Sequence, residues 1–137
     1  MKKIKLVLVA MILMAGTSFA QKKAAPWAEL KAFHGYMAST FHPSEEGNLK
    51  PLREKADSLY MAAKTLEVAA IPSDFKPKET KETIELLVKQ TANIKEKVKE
   101  NASDKDLTKL IAEAHDTFHK IVGECRKTDE GHEGHNH

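Results

Sequence analysis

The sequence predicts an all-α protein, an antiparallel up-down-up-down four-helix bundle. In four segments the apolar residues recur every three or four positions, as they do on one face of an amphipathic helix. Short breakers containing proline, glycine, asparagine and serine separate these segments. No segment shows the sustained period-two alternation of a strand. Short connections make consecutive helices antiparallel neighbours, and 137 residues suffice for one domain with one core.

The first 20 residues have the pattern of a cleavable signal peptide. Residues 2–5 carry three lysines, residues 6–15 are all apolar, and the small residues Ser18 and Ala20 precede a cleavage site. The apolar run has 10 residues, whereas a membrane span needs roughly 20. We therefore expect a mature protein in the bacterial periplasm or secreted, with no membrane anchor after residues 1–20 are removed.

The signal also accounts for the apparent basicity of the chain. The whole sequence has 22 basic and 20 acidic residues, but residues 1–20 contain three lysines and no acid. The remaining chain has 19 basic and 20 acidic residues, so its net charge is −1. Nothing in it builds the basic face that nucleic-acid binding requires, which excludes that class of partner. A single cysteine forms no internal disulfide, so helix packing must hold the fold.

The first two helices are defined by their stripes and by the breakers that follow. Pro26 suits the first turn of helix one, and Pro-Ser-Glu-Glu-Gly-Asn at 43–48 interrupts that helix. Ile-Pro-Ser-Asp at 71–74 ends helix two. The predicted buried stripes are Trp27, Leu30, His34, Met37 and Phe41 in helix one, and Leu49, Leu52, Ala56, Leu59, Ala63, Leu66 and Ala70 in helix two.

Helices three and four are marked in the same way. Helix three follows Pro77 with an acidic first turn, and Asn-Ala-Ser-Asp at 101–104 closes it. Ser103 or Asp104 then caps helix four, because a short polar side chain accepts from the free N–H groups of a first turn. The predicted stripes are Ile84, Leu87, Thr91, Ile94 and Val98 in helix three, and Leu107, Ile111, Ala114, Phe118, Ile121 and Cys125 in helix four.

Histidines are the candidate functional residues of the bundle, because neutral imidazole is a common ligand of transition metals. His115 and His119 are four residues apart and share one side of helix four. His34 is predicted in the stripe of helix one, at a similar height in an antiparallel bundle. The three predict a metal site between the first and last helices. The alternative is that each imidazole is simply hydrogen bonded and carries no ligand.

The bundle domain spans residues 21–127, and the tail at 128–137 has no apolar residue to bury, so we expect it to be disordered. His132, His135 and His137 stand in this tail among acidic residues. Such a composition binds borderline cations, namely Cu(II), Zn(II) or Ni(II), and exchanges them readily. The alternative is a solvated polar tail with incidental histidines.

At 115–120 the chain reads His-Asp-Thr-Phe-His-Lys, followed by Val-Gly-Glu-Cys-Arg at 122–126. Here it resembles the periplasmic four-helix cytochromes, cytochrome c′ and the soluble b-type cytochrome, whose haem histidine lies on the last helix. The resemblance implies His119 as one haem ligand and Met37, or else His34, as the other. The chain lacks the Cys-x-x-Cys-His attachment motif, so covalent haem is excluded and only non-covalent haem b remains.

These observations favour a non-catalytic periplasmic binding protein that sequesters or delivers a transition metal. The alternatives are an electron-transfer protein with non-covalent haem b, and a structural or partner-binding bundle with incidental histidines. We do not expect an enzyme, because the chain has no nucleophile elbow, no phosphate-binding loop and no His-Glu-x-x-His. The sequence leaves open whether the protein forms a homodimer.

Overall fold

The computed structural model describes residues 27–127 of the 137-residue chain. These residues form four α-helices: α1 (Ala28–Glu45), α2 (Lys50–Val68), α3 (Pro77–Lys99) and α4 (Asp104–Gly123). No helix in this range is long and apolar enough to cross a membrane. The predicted signal peptide, Pro26 and the predicted tail with His132, His135 and His137 lie outside the described residues.

The helices pack as a bundle in which each contacts the next along the chain and α1 closes against α4. At one end, Arg53 near the start of α2 donates to the carbonyl of Ala102 and to Asp104 at the start of α4, both at 2.8 Å. At the other end, Trp27 before α1 lies edge-on to Phe75 before α3, with ring centroids 5.1 Å apart. Neighbouring helices therefore run in opposite directions, and the predicted all-α four-helix bundle is confirmed.

The core consists of the apolar stripes of all four helices. The stripes predicted for α2, α3 and α4 are buried, with two exceptions. Ala70 lies beyond the end of α2 at Val68 and is exposed, and Val98 is only half-buried. Cys125 is 3% exposed, so its predicted burial is confirmed. The spacing of apolar residues thus locates the core in three of the four helices.

In α1 the predicted stripe is partly wrong, because His34 is exposed and Phe33 is fully buried in its place. Leu30 and Met37 are buried as predicted. At roughly 100° per residue, His34 lies about 70° from the centre of the face that Leu30, Phe33 and Met37 bury. His34 therefore stands on the rim of α1, beside the seam with α4, and not in the core.

The buried face of α1 continues through Thr40 and Ser44, which a search for apolar residues misses. The Thr40 hydroxyl donates to the carbonyl of Tyr36 at 2.8 Å, and the Ser44 hydroxyl donates to the carbonyl of Phe41 at 2.6 Å. Hydroxyls bonded one turn back along their own helix can be buried, because they leave no donor unpaired.

The interruption predicted at residues 43–48 comes later than expected, because α1 passes through Pro43 and ends at Glu45. In a last turn the proline ring costs a single backbone hydrogen bond, which the helix tolerates. Gly47 ends the helix with a φ of +81°. The N–H of Gly47 donates to Ser44 O at 3.1 Å and that of Asn48 to Pro43 O at 2.9 Å, the pairing of a Schellman motif.

The segment after α4 is tied to the loop before α3. The N–H of Lys76 donates to Cys125 O at 2.7 Å, and the N–H of Lys127 donates to Asp74 O at 2.8 Å. This pairing is the isolated bridge between Phe75 and Arg126. At the other end of α4, the Ser103 hydroxyl accepts from the Asp106 N–H at 3.1 Å, which confirms the predicted cap. Both ends of the helix that carries the histidine pair are therefore fixed.

Candidate metal centre

His115 and His119 form a close imidazole pair on one side of α4. Their Nε2 atoms lie 3.0 Å apart, and their ring centroids lie 4.3 Å apart with the planes at 75°. His119 is exposed and His115 is half-buried. When both rings are neutral, one N–H donates to the lone pair of the other ring. The four-residue spacing predicts that the two histidines share one side of the helix, and the structure places their Nε2 atoms in contact.

The separation of the two Nε2 atoms suits chelation of one metal ion. Imidazole nitrogen binds Zn(II) at about 2.0–2.1 Å, so two ligands on the same ion lie about 2.9 Å apart at a right angle and about 3.3 Å apart at a tetrahedral angle. The observed 3.0 Å falls between these values. The distance between the two nitrogen atoms is therefore compatible with both binding one ion.

Phe41 of α1 fixes the orientation of His115 across the helix seam. The two rings are stacked, with centroids 3.7 Å apart and planes within 12°. Burial lowers the pKa of His115 from its ordinary value, and the neighbouring His119 lowers it further, while Asp116 and Glu45 act in the opposite direction. The packing thus favours neutral imidazole, which is the protonation state that binds a metal.

His34, the third helical residue of the predicted metal site, lies against Phe118. The two rings are stacked with centroids 5.2 Å apart and planes within 11°. The ring of His119 also contacts Phe118, at 5.8 Å between centroids. Within residues 27–127 no three side chains of histidine, cysteine, aspartate or glutamate form a group able to hold a metal. The structure therefore brings together His115 and His119, and places His34 beside them on an aromatic ring.

The two haem ligands implied by the cytochrome resemblance lie in different environments. Met37 is fully buried in the core, whereas His119 is exposed on the outer side of α4. Axial ligation by both residues would require the core around Met37 to open.

Cys125 is buried next to Thr83, with its Sγ 3.7 Å from the Thr83 hydroxyl.

His42 and Glu45 form a hydrogen-bonded pair near the centre that the sequence analysis does not predict. The Nδ1 of His42 lies 3.2 Å from a carboxylate oxygen of Glu45. Glu45 raises the pKa of His115 across the seam, and His42 lowers it. In the sequence the pair shows only as a three-residue spacing, which becomes one turn of helix because α1 continues through Pro43 to Glu45.

Comparison of this chain with protein-family models, curated proteins and solved structures finds no match. The resemblance to periplasmic four-helix cytochromes therefore stays a prediction that rests on residues 115–126. Within the described part of the chain, fold and site together define a class: a four-helix bundle that carries a close imidazole pair on its last helix, beside the seam with the first helix.

Proposed function

We propose that this protein is a non-catalytic periplasmic binding protein for a transition metal, which it sequesters or delivers through bundle histidines and the histidine-rich tail. The observation that carries the proposal is the 3.0 Å separation of the Nε2 atoms of His115 and His119. The proposal includes export by the signal peptide, with the protein in the periplasm or secreted. We also propose that the protein has no enzymatic activity.

The ions that fit this centre are Cu(II), Zn(II) and Ni(II), since borderline divalent cations favour imidazole nitrogen. A chelate with two protein ligands leaves coordination positions open, as catalytic and exchanging sites do. Such a centre suits transfer of the ion to a further acceptor better than permanent structural binding. His34 joins the coordination only after its ring leaves Phe118.

The tail is proposed to supply the remaining imidazoles. It leaves the described bundle after Lys127, whose N–H is bonded to Asp74 O at 2.8 Å. His119 stands about one turn, roughly 6 Å, before the end of α4 at Gly123. Chain lengths of five to ten residues reach about 17–33 Å when extended. The chain after Lys127 is therefore long enough for His132, His135 and His137 to reach an ion bound at the pair.

Isothermal titration of the full chain with Cu(II), Zn(II) and Ni(II) tests the proposal. We expect a high-affinity site that weakens at least tenfold in the double variant His115→Ala/His119→Ala. When the tail changes His132→Ala/His135→Ala/His137→Ala are added to this double variant, the metal binding that remains should be lost. Lys105→Gln, which removes an exposed side chain at the start of α4, far from the pair, is the matched control and should bind as the unchanged protein does. Binding no tighter than millimolar in the unchanged protein would contradict the proposal.

The electron-carrier alternative has less support, because Met37 is enclosed by the core. A haem titration followed at the Soret band separates the two functions, since only a haem protein shifts and intensifies this band on binding. A structural bundle with incidental histidines would show neither a Soret change nor an effect of the double variant on metal affinity.

A further inference from the structure

A cavity of about 280 Å³ lies between α1, α4 and the loop before α3, at the end of the bundle where the chain leaves α4. Three aromatic rings line it, those of Trp27, Phe75 and Phe118. At about 30 Å³ per water molecule the space corresponds to about nine waters, which is the volume of a small organic molecule. The cavity is therefore a partly open pocket of ligand size. Neither His115 nor His119 lines it, but His34 does, stacked on Phe118.

Two cationic side chains, Lys31 and Arg126, line the same cavity. Arg126 lies over the ring of Phe75, with its guanidinium carbon 5.3 Å from the ring centroid. Among residues 27–127 neither cation has a carboxylate partner within salt-bridge distance, even though Asp74 lines the cavity as well. A guanidinium presents a planar set of donors that matches a carboxylate. The charge of the lining therefore suits an anion.

Trp27 supplies an independent observation. It is 8% exposed, and its indole N–H has no hydrogen-bond partner in the described part of the molecule. Buried donors in folded proteins are nearly always paired, so an orphan in a cavity wall calls for an explanation. An acceptor on a ligand bound in the cavity would supply one, because Trp27 is part of the cavity wall.

We propose that this cavity binds a small carboxylic acid with an aromatic body. The body lies against the aromatic wall of the cavity, and the carboxylate accepts hydrogen bonds from Arg126 and Lys31. Neither His115 nor His119 lines the cavity, so the proposal does not depend on the imidazole pair, although His34 lies in the wall. It gives the protein a second, organic ligand of defined chemistry.

Trp27 is the only tryptophan of the chain, so its fluorescence reports on this cavity alone. The experiment is a titration of the full chain, in EDTA, with phenylacetate, with the neutral analogue 2-phenylethanol and with inorganic phosphate. We expect a saturable change in Trp27 emission with phenylacetate. Binding of 2-phenylethanol should be at least tenfold weaker, because it lacks the charge, and phosphate should be weaker still, because it lacks the aromatic body.

The variant Arg126→Gln should weaken phenylacetate binding at least tenfold, and Lys105→Gln, which removes a lysine at the far end of α4, is the matched control. If Arg126→Gln loses helical structure by circular dichroism, Lys31→Gln on α1 replaces it in the same comparison. Equal binding of phenylacetate and 2-phenylethanol would overturn the proposal. So would the absence of a saturable emission change, or unaltered binding in the cavity variants. None of these results bears on metal binding, which is measured separately.

Discussion

The ring of Phe41 on α1 lies parallel to the imidazole of His115 on α4, with 3.7 Å between the ring centroids. This contact joins the first and last helices at the level of the candidate metal centre. It holds one of the two imidazoles in place and shields it from water. Burial lowers the pKa of His115, and Phe41 is one of the side chains that bury it.

Replacing Phe41 should alter both the stability of the bundle and the pKa of His115. Stacked aromatic pairs contribute about 0.5–1.5 kcal/mol beyond their area burial, so we expect Phe41→Leu to lower the free energy of unfolding by about 1 kcal/mol. It should also raise the pKa of His115 toward its ordinary value, because the ring becomes better solvated. Urea denaturation and an NMR titration of the histidine ring signals measure the two effects. An unchanged His115 pKa in this variant would show that Phe41 does not shield the ring.

The depressed pKa of His115 predicts a stability loss in acid. The unfolded chain takes up a proton at the ordinary histidine pKa of about 6.5, whereas folded His115 does so only at lower pH. Between these two values the unfolded state binds more protons. The contribution of His115 is therefore fully present above about pH 6.5, and it is lost as the pH falls through the depressed pKa.

Urea denaturation at a series of pH values tests this dependence. The variant His115→Gln should show a shallower fall in the free energy of unfolding between pH 7 and pH 5 than the unchanged protein. His34→Gln is the control, because His34 is exposed on α1 and is not among the groups that shift the pKa of His115. Metal affinity should fall over the same range, since protons and metal ions compete for the same nitrogen atoms. Identical pH profiles of stability for His115→Gln and the unchanged protein would contradict the assignment of this dependence to His115.

Two glycines of the same region should respond oppositely to alanine. Gly47 has a φ of +81°, which disfavours any side chain, so Gly47→Ala should destabilise the protein by about 1 kcal/mol. Gly35 lies inside α1 with no atom within 4 Å of an added Cβ, so Gly35→Ala should stabilise it by about 0.5–1 kcal/mol. Thermal denaturation of both variants measures the difference, and equal shifts in Tm would be inconsistent with the Gly47 turn.

Two buried threonines of α3 offer a second matched comparison. Thr80 is fully buried and its hydroxyl has no partner in the described structure, whereas the Thr91 hydroxyl donates to Leu87 O at 2.9 Å. An unpaired buried polar group costs about 1–3 kcal/mol. We expect Thr80→Val to raise the free energy of unfolding by about 1 kcal/mol, and Thr91→Val to leave it unchanged or lower it. Destabilisation by Thr80→Val in urea denaturation would indicate that its hydroxyl is satisfied in solution.

The sequence predicts the helices well because their apolar residues keep one frame over several turns, as from Leu107 to Cys125. In α1 two frames compete: one contains His34, and the other contains Phe33. Both include Leu30 and Met37, and the choice depends on packing against other helices. Hydrophobicity favours the second frame, because Phe33 is more apolar than His34, and the buried Thr40 continues the same face.

The candidate centre was predictable in part for the same reason. The four-residue spacing of His115 and His119 places them on one side of a helix whatever the fold. The stacking of Phe41 on His115, and of His34 on Phe118, depends on how α1 and α4 are rotated against each other. The bridge between Phe75 and Arg126 joins segments about 50 residues apart, a pairing that local patterns do not reveal.

The hydrogen bond between the Lys127 N–H and Asp74 O fixes the end of the described chain beside the loop before α3. In the proposed function, a tether that starts at this point would hold its histidines at an effective concentration of about a millimolar at the imidazole pair. An ion captured by the terminal histidines would then pass to the helical imidazoles by a first-order exchange within one molecule. The rate of this exchange would not depend on the protein concentration, so the proposed transfer would proceed equally well in a dilute protein.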